Sequence, residues 1–249
     1  MDNDTAPDHP GIPPRWTSSA KSGVGTAISG LSHVWFTISH GIVNEVYYPG
    51  IDQANTRDLG LLITDGSQFF SEEKRDTTCE ILPLAQGVPG FRLTNTCTQG
   101  RYRIKKVIVT EPLRDVLLQR IHFEAVRGRL SDYHVYALLA PHISNCGSGN
   151  TGWSGDYKGV PMLFAQRGDT TLALWLSRRQ ASSVLICPSN VGRSNVWRTA
   201  SSWRSAVTCG RKRGIFFLLL LGPSFAFCWP RRKAHGCAGT RKMRWASPC

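Results

Sequence analysis

The sequence predicts an all-β protein built as a large antiparallel β-sandwich, and three observations support this class. Short apolar runs follow one another through the first two thirds of the chain, separated by turn signals such as Asp65-Gly66 and Gln99-Gly100. In the run from 101 to 109, apolar and charged residues alternate, which is typical of a strand with one buried face. No segment before residue 175 keeps the 3.6-residue apolar period of a helix over three turns.

The elements follow in order from the N-terminus. Residues 1–10 are acidic and proline-rich and predict a flexible arm. The segment Ser18 to Gly30 is small, polar and glycine-rich; it matches neither nucleotide-binding glycine pattern, so a loop with tight turns is expected. The apolar runs predict strands at Leu59–Thr64, Phe91–Thr96, Arg101–Val109, Val116–Ala125, Tyr133–Leu139, Met162–Ala165 and Thr171–Leu174.

The charge of the chain is divided sharply along its length. Of 249 residues with a net charge of +13, residues 1–169 hold 16 Lys/Arg and 17 Asp/Glu, a balance of −1. Residues 170–249 hold 14 Lys/Arg and no acidic residue, a balance of +14. The basic excess therefore belongs to the last part of the chain and carries no information about partners of the first part.

Cysteine and histidine positions give no metal or cofactor signature. The eight cysteines form no C-x-x-C pair, and the seven histidines form neither an i,i+4 pair nor an H-x-H pair. We therefore expect no metal and no cofactor. The N-terminus lacks the apolar core of a signal peptide, so a cytoplasmic chain with reduced thiols is the default expectation.

One stretch, Ser32 to Gly66, concentrates aromatic and polar residues between short apolar runs. Aromatic rings can cover the apolar faces of sugars while carboxylates and amides bind the hydroxyl groups. The pattern is therefore typical of a surface that faces a sugar or another domain. A β-edge stabilised by a buried polar network would explain it equally well.

Three segments together resemble a known family. They are GIPPRWTSSAKSGVGTAIS from Gly11, SHGIVNEVYYPGIDQANTRDLGLLITDG from Ser39 and GNTGWSGDYKGVPMLFA from Gly149. In this order they are similar to the N-terminal β-sandwich of prokaryotic glucoamylases and glucodextranases, glycoside hydrolase family 15. The resemblance covers residues 11–174, implies a galactose mutarotase-like supersandwich, and stops abruptly near Trp175.

The resemblance also implies a reaction, which is inverting hydrolysis of terminal α-glucosidic bonds by two glutamates about 6.5–9.5 Å apart. In the family these glutamates lie in an (α/α)6 barrel that follows the sandwich. Residues 175–249 contain no glutamate and are too few for that barrel. We therefore expect this chain by itself to be inactive.

The resemblance implies two groups of residues at a substrate mouth or domain interface, and no catalytic residue. Expected partners are a weakly bound α-glucan or oligosaccharide and the catalytic barrel, with no nucleic acid and no membrane. Carboxylates such as Glu45, Asp52 and Asp58 are expected to bond Arg57 or backbone amides rather than to catalyse. The first group is His40, Asn44, Glu45, Tyr47, Tyr48, Arg57 and Asp58; the second, expected on a polar-aromatic loop, is Trp153, Asp156, Tyr157 and Lys158.

Residues 175–249 follow neither the strand period nor the helix period, and three interpretations stay open. We favour a shifted reading frame of a GC-rich gene, which yields Arg, Ser, Trp and Cys without acids. In that case the sandwich lacks its last strands and exposes an unpaired edge, which predicts poor solubility. A transmembrane helix is less favoured because the apolar run 215–229 is interrupted by Gly222-Pro223. The alternative function is a non-enzymatic binding module whose basic tail engages nucleic acid or an anionic membrane.

Overall fold

The computed structural model describes residues 20–176 in full and the backbone of residues 183–186 and 215–223. The expected arm at 1–10 and most of the tail lie outside these ranges. The described residues contain no α-helix, only two short 3-10 turns, Leu130–Asp132 and Ile143–Asn145. The strands are β1 Gly23–Thr26, β2 Trp35–Ser39, β3 Ile42–Tyr47, β4 Ala54–Thr64, β5 Phe70–Glu72, β6 Thr77–Ala85, β7 Val88–Cys97, β8 Tyr102–Thr110, β9 Val116–Ala125, β10 His134–Pro141, β11 Thr151–Tyr157, β12 Val160–Arg167, β13 Thr170–Leu176, β14 Ser183–Ile186 and β15 Ile215–Pro223.

Two sheets form the sandwich, which confirms the predicted fold class. One sheet has the order β1-β2-β3-β4-β10-β14, with β5 also paired to β4. The other has the order β11-β12-β13-β15-β9-β8-β7-β6. Neighbouring strands are antiparallel except β10 and β14, which are parallel. Apolar residues of both sheets meet in one core, as expected for two packed layers.

The turn signals place most strands correctly. The hairpin expected at Asp65-Gly66 joins β4 to β5, and Asp65 accepts backbone hydrogen bonds from Ser67 and Phe69. Gly100 lies in the β7–β8 turn expected from Gln99-Gly100, and Gly168 lies in the β12–β13 turn; both have positive φ. Glycine suits these positions because it has no Cβ to oppose a left-handed backbone.

Two expected loops are strands instead. The segment Ser18 to Gly30 contains β1, whose Gly25 lies so close to Phe36 and the carbonyl of Pro89 that a Cβ would collide with them. The prediction of a polar-aromatic loop around residues 153–158 is also wrong. Residues Trp153, Asp156 and Tyr157 lie on β11, and Lys158 lies in the turn to β12. Glycine in each segment hid the strand pattern, because it replaces the side chain that would alternate.

Beyond Leu174 the chain contributes backbone to both sheets. β13 continues to Leu176, and β14 pairs with β10. Strand β15 lies between β13 and β9, so that Leu219 is opposite Leu174 on one side and Leu117 on the other. The unpaired edge expected from a missing last strand is therefore filled at this position.

A buried ion pair connects the two sheets through the core. The side chains of Lys106 on β8 and Glu73, just after β5, are fully buried, with 2.6 Å between Nζ and Oε2. Asn95 on β7 donates from Nδ2 to Glu73 Oε1 at 2.6 Å and to the Gly41 carbonyl at 2.8 Å. The backbone N–H of Glu73 donates to the carbonyl of Leu61. One polar cluster thus ties β8 and β7 of one sheet to β4 and the β2–β3 turn of the other.

We predict that Lys106→Met destabilises the fold by about 3–5 kcal/mol, because it leaves the Glu73 carboxylate buried without its cation. Urea unfolding followed by circular dichroism measures this. Combining Lys106→Met with Glu73→Gln removes both charges and is expected to cost less than Lys106→Met alone.

The matched control is Lys105→Met. Lys105 is the preceding residue on β8, and its half-exposed side chain lies 3.5 Å from Glu124. We expect a loss of less than about 1 kcal/mol, as for surface ion pairs. Equal losses of unfolding free energy at the two positions would show that the buried pair contributes no more to stability than the surface pair.

Candidate functional site

The first group of candidate residues begins at a tight hairpin. Ser39 and Ile42 pair across a two-residue turn in which His40 and Gly41 have φ angles of 52° and 74°. Two successive residues at positive φ match the twist of the flanking strands. His40 Nδ1 lies 2.6 Å from Ser39 Oγ, so the histidine is a structural hydrogen-bonding residue at the tip of this hairpin.

Two β-bulges determine the orientation of the side chains that follow them. Between β2 and β3, Thr37 is opposite Glu45 and Ile38 is opposite Val43, so Asn44 is an extra, buried residue. Between β4 and β10, the register shifts in the same way at Arg57. Such bulges redirect side chains, and here they bring charged residues of β3 and β4 onto one side of the sheet.

Glu45 forms the first half of this charged surface. Its Oε2 accepts hydrogen bonds from Lys21 Nζ at 2.6 Å and from the Tyr47 hydroxyl at 2.6 Å. Burial, together with the Glu45 carboxylate, raises the pKa of Tyr47. Tyr47 therefore keeps its proton and remains a donor to Glu45.

Asp58 forms the second half. Lys74 Nζ donates to both of its carboxylate oxygens, at 3.0 and 2.9 Å, and Arg57 Nε lies 3.8 Å from Oδ2. Burial raises the pKa of Asp58, while Lys74, Arg57 and His40 oppose that rise. The carboxylate is thus held by cations on a surface that water reaches poorly.

His142, which the sequence analysis did not single out, joins the same surface. It follows β10, is 2% exposed, and donates its backbone N–H to the carbonyl of Asn55. Burial and the nearby Arg57 cation lower the pKa of His142 to about 4, and the Glu45 carboxylate opposes this shift. His142, Arg57 and Glu45 are therefore close enough to act on one another. No sequence signal marks the histidine, because its neighbours come from other strands.

Tyr48 lies where this surface meets one end of the sandwich. Burial and the charge of Asp115 raise its pKa. The neighbouring turn is fixed by Asn145, whose Oδ1 accepts from the Ala54 N–H and whose Nδ2 donates to the Asp52 carbonyl. Ser144 and Asn145 both have positive φ, an unusual pair for residues with side chains.

The second group of candidates lies on the other sheet, so the structure does not combine the two groups into one site. Trp153 on β11 stacks on Phe164 of β12 with ring centroids 5.3 Å apart. Asp156 accepts from the Gly159 N–H in the turn, and Lys158 Nζ lies 5.4 Å from the centre of the Tyr157 ring. These contacts are those of an edge hairpin.

The geometry of the described residues argues against several kinds of site. Glu45 is paired with Lys21 and Asp58 with Lys74, so both carboxylates are engaged with cations. Within residues 20–176, no three or more His, Cys, Asp or Glu side chains are placed to hold a metal. The helical segments there are turns of three residues, far too short to cross a bilayer.

Fold and surface together define an antiparallel two-sheet sandwich domain with a charged surface around Glu45 and Asp58 on one of its sheets. The chain belongs to the family described as Glucodextranase, domain N, whose profile matches residues 6–202. This confirms the resemblance inferred from the three sequence segments, and the match extends past Leu174.

Two glucoamylases show the same similarity. The chain is 40% identical over 174 residues to the glucoamylase of Clostridium sp. (strain G0005), covering 70% of this chain and 25% of that protein. It superposes with a TM-score of 0.77 and 30% identity on a bacterial glucoamylase crystallised with acarbose, covering 91% of this chain and 36% of that one. The chain therefore carries a glucoamylase-like N-terminal domain and spans about a quarter to a third of these relatives.

We predict that the stability of the fold falls as pH is lowered from 6.5 towards 4. His142 has a lowered pKa in the folded state, so the unfolded state binds the proton first in this window. The contribution is fully present above pH 6.5 and is lost as pH falls through the folded-state pKa. His142→Gln should flatten this part of the pH dependence of urea unfolding.

His134→Gln is the control, because His134 is an exposed histidine at the start of β10, the strand that His142 follows. It should leave the pH dependence between 6.5 and 4 unchanged. If His142→Gln has the slope of the original chain, the burial of His142 does not control this dependence.

Proposed function

We propose that this chain provides the carbohydrate-associated N-terminal domain of a glucoamylase- or glucodextranase-like, inverting α-glucan exo-hydrolase. The observation that carries the proposal is the match to the glucodextranase N-domain family, together with the superposition on a bacterial glucoamylase. The (α/α)6 barrel, which would carry the two catalytic carboxylates, has no counterpart among the described strands. Support of that barrel by domain packing is the main role, and α-glucan binding is weak.

The charged surface around Glu45 and Asp58 supports a packing role over a catalytic one. A general acid needs a carboxyl free to give its proton, and a general base needs one free to approach water. Glu45 instead accepts from Lys21 and Tyr47, and Asp58 accepts from Lys74 at both oxygens. Ion pairs of this kind hold the surface in one arrangement. On the same surface, Trp35 of β2 lies opposite Tyr47 of β3. An aromatic pair next to fixed charges suits contact with a sugar or a protein.

The full chain is therefore expected to release no glucose from maltoheptaose and to bind it with a Kd of about a millimolar or weaker. Chromatography of the reaction products and titration calorimetry measure the two quantities. Tyr47→Ala should weaken any binding severalfold, and Tyr157→Ala on the other sheet serves as the matched control.

Glucose release that survives repurification would contradict the proposal of an inactive chain. The rival function, a basic module for nucleic acid or anionic membrane, predicts something else. Double-stranded DNA or phosphatidylserine vesicles would then bind the full chain tightly at 50 mM salt. At several-fold higher salt the affinity would fall by about a thousandfold, as expected for six or more phosphate contacts. That outcome, with no effect of Tyr47→Ala on any ligand, would favour the rival.

We further propose that the tail is read in a shifted frame that begins between residues 175 and 202, so that the family sequence of the sandwich stops in that interval. The support is compositional: residues 170–249 hold 14 Lys/Arg and no acidic residue. The presence of β15 in the sheet is compatible with this origin, because ladder hydrogen bonds join backbone groups whatever the side chains are. Any apolar run of sufficient length can occupy such a position.

Sequencing the gene tests the shifted frame. We expect an alternative frame, opening between the codons for residues 175 and 202, to continue the family pattern and to reach two glutamates in helical surroundings. The interval ends at 202 because the family profile matches up to that residue. If no alternative frame resembles the family, the tail is the native sequence.

A further inference from the structure

The outer face of the eight-stranded sheet carries cations on three adjacent strands, β7, β8 and β9. Side chains alternate between the two faces of a strand, and Leu93, Lys106 and Ile121 are buried on the core face. The residues between such buried positions therefore point away from the core. Four of them are cations that reach solvent: Arg92, Arg103, Lys105 and Arg120.

The strand register places two of these cations in one row. Arg92 is opposite Val107, and Val107 is opposite Arg120, so the three side chains lie in line on one face. We call these three residues the arginine row. Adjacent strands are about 4.8 Å apart, which separates the Cα atoms of the two arginines by about 10 Å. Both arginines are exposed and Val107 is half-buried, so a short apolar side chain lies between two long cations.

The two arginines differ from the other cations of this face in their partners. Arg103 Nη1 and Lys105 Nζ lie 3.8 and 3.5 Å from Glu124 Oε2. Within residues 20–176, no carboxylate lies at ion-pair distance from Arg92 or Arg120. An anion between two such cations is attracted by both. A guanidinium group also presents paired N–H donors that match the oxygens of a phosphate.

The surroundings of the arginine row favour an isolated phosphate over a continuous polyanion. Glu80, opposite Thr94, and Glu124 are on the same outer face and limit its positive charge to a small area. The aromatic residues of β7, β8 and β9 are Phe91, Tyr102 and Phe123, and all three pack in or against the core. These three strands therefore offer neither the extended run of cations nor the stacking rings with which proteins bind nucleic acids.

Neutral residues on both sides of the arginine row suit a sugar. On one side, Val109 and Leu118 are opposite each other and partly exposed. Gly90 lies beside them, and a Cβ at Gly90 would be only 2.8 Å from Val109 Cγ1, so glycine keeps this area flat. On the other side, the next row contains Thr94 and His122. Apolar side chains can cover the face of a sugar ring, and hydroxyl and imidazole groups can bond its hydroxyls.

We propose that the arginine row binds a phosphate monoester carried on an α-glucan. This rests on the proposed function and adds the chemical class of glucan that the domain binds. Most units of such a polymer are neutral, and each phosphate brings a charge of about −1.5 to −2 at pH 7. Arg92 and Arg120 donate to the phosphate oxygens from two sides. The adjoining glucose units lie on Val109 and Leu118 or beside Thr94.

The probe is maltoheptaose with one phosphate monoester on a 6-hydroxyl group, compared with unmodified maltoheptaose. Titration calorimetry measures the binding of each to the full 249-residue chain at 50 mM salt. We expect the phosphorylated oligosaccharide to bind at least about tenfold more tightly, because charge-assisted hydrogen bonds are added. Arg92→Gln and Arg120→Gln should each lower this preference several-fold, and the double variant should abolish it.

Arg114→Gln is the matched control. It removes the same charge from the β8–β9 loop, where the Arg114 side chain is 77% exposed, and should leave the preference unchanged. The basic excess of residues 170–249 is identical in every variant, so a difference between variants belongs to the sheet face. Arg120→Lys keeps the charge without the paired donors and should give an intermediate preference. All variants should melt within a few degrees of the original chain, since the substituted arginines are exposed.

Equal binding of the two oligosaccharides, or a preference that survives in the double variant, would overturn the proposal. The proposed function would stand, because it is tested with unmodified maltoheptaose and Tyr47→Ala. Inorganic phosphate that binds as tightly as the phosphorylated oligosaccharide would assign the arginine row to a free anion and overturn the glucan. Double-stranded DNA whose binding is lost in the double variant would assign the face to a polyanion, with the same consequence.

Discussion

The ion pair between Glu73 and Lys106 is the constraint around which the sandwich is arranged. Two opposite charges without solvent contact persist only when each is fully engaged, and Asn95 supplies the remaining donor to the carboxylate. The same amide holds the Gly41 carbonyl, so the hairpin tip at His40 is fixed from inside the core. Glu73 also precedes Lys74, whose side chain turns to Asp58. The interior network thus positions both the hairpin and the cation of the outer surface.

The charged surface around Glu45 and Asp58 is held in one shape by ion pairs between separate segments of the chain. Each carboxylate has its cation on a different segment of chain: Glu45 on β3 meets Lys21 before β1, and Asp58 on β4 meets Lys74 after β5. Ion pairs that join distant segments of the chain fix the relative positions of those segments. Under the proposed function this surface contacts another domain, and buried or half-buried pairs would give that contact a constant form.

Much of the fold could be predicted, because turn residues and alternation are local signals. Asp65-Gly66 and Gln99-Gly100 marked their hairpins, and Val116–Ala125 was placed to the residue. Strand β1 was not found because Gly23 and Gly25 pack against Phe91 and Phe36 where side chains would otherwise alternate. In the charged surface, Glu45, Tyr47, Arg57 and Asp58 were candidates from the sequence, whereas Lys21, Lys74 and His142 were not. Their partners are distant in sequence, and only the bulges of β3 and β4 bring them together.

The position of β15 determines the order in which the molecule can be completed. The strand pairs with β9 and β13 at the same time, yet it begins at Ile215, well after both. During synthesis, β9 and β13 therefore leave the ribosome before the strand that joins them exists. The eight-stranded sheet remains two separate pieces until residues 215–223 have been made. Contacts this distant in sequence form slowly, and the two open edges are exposed to other chains for the whole interval.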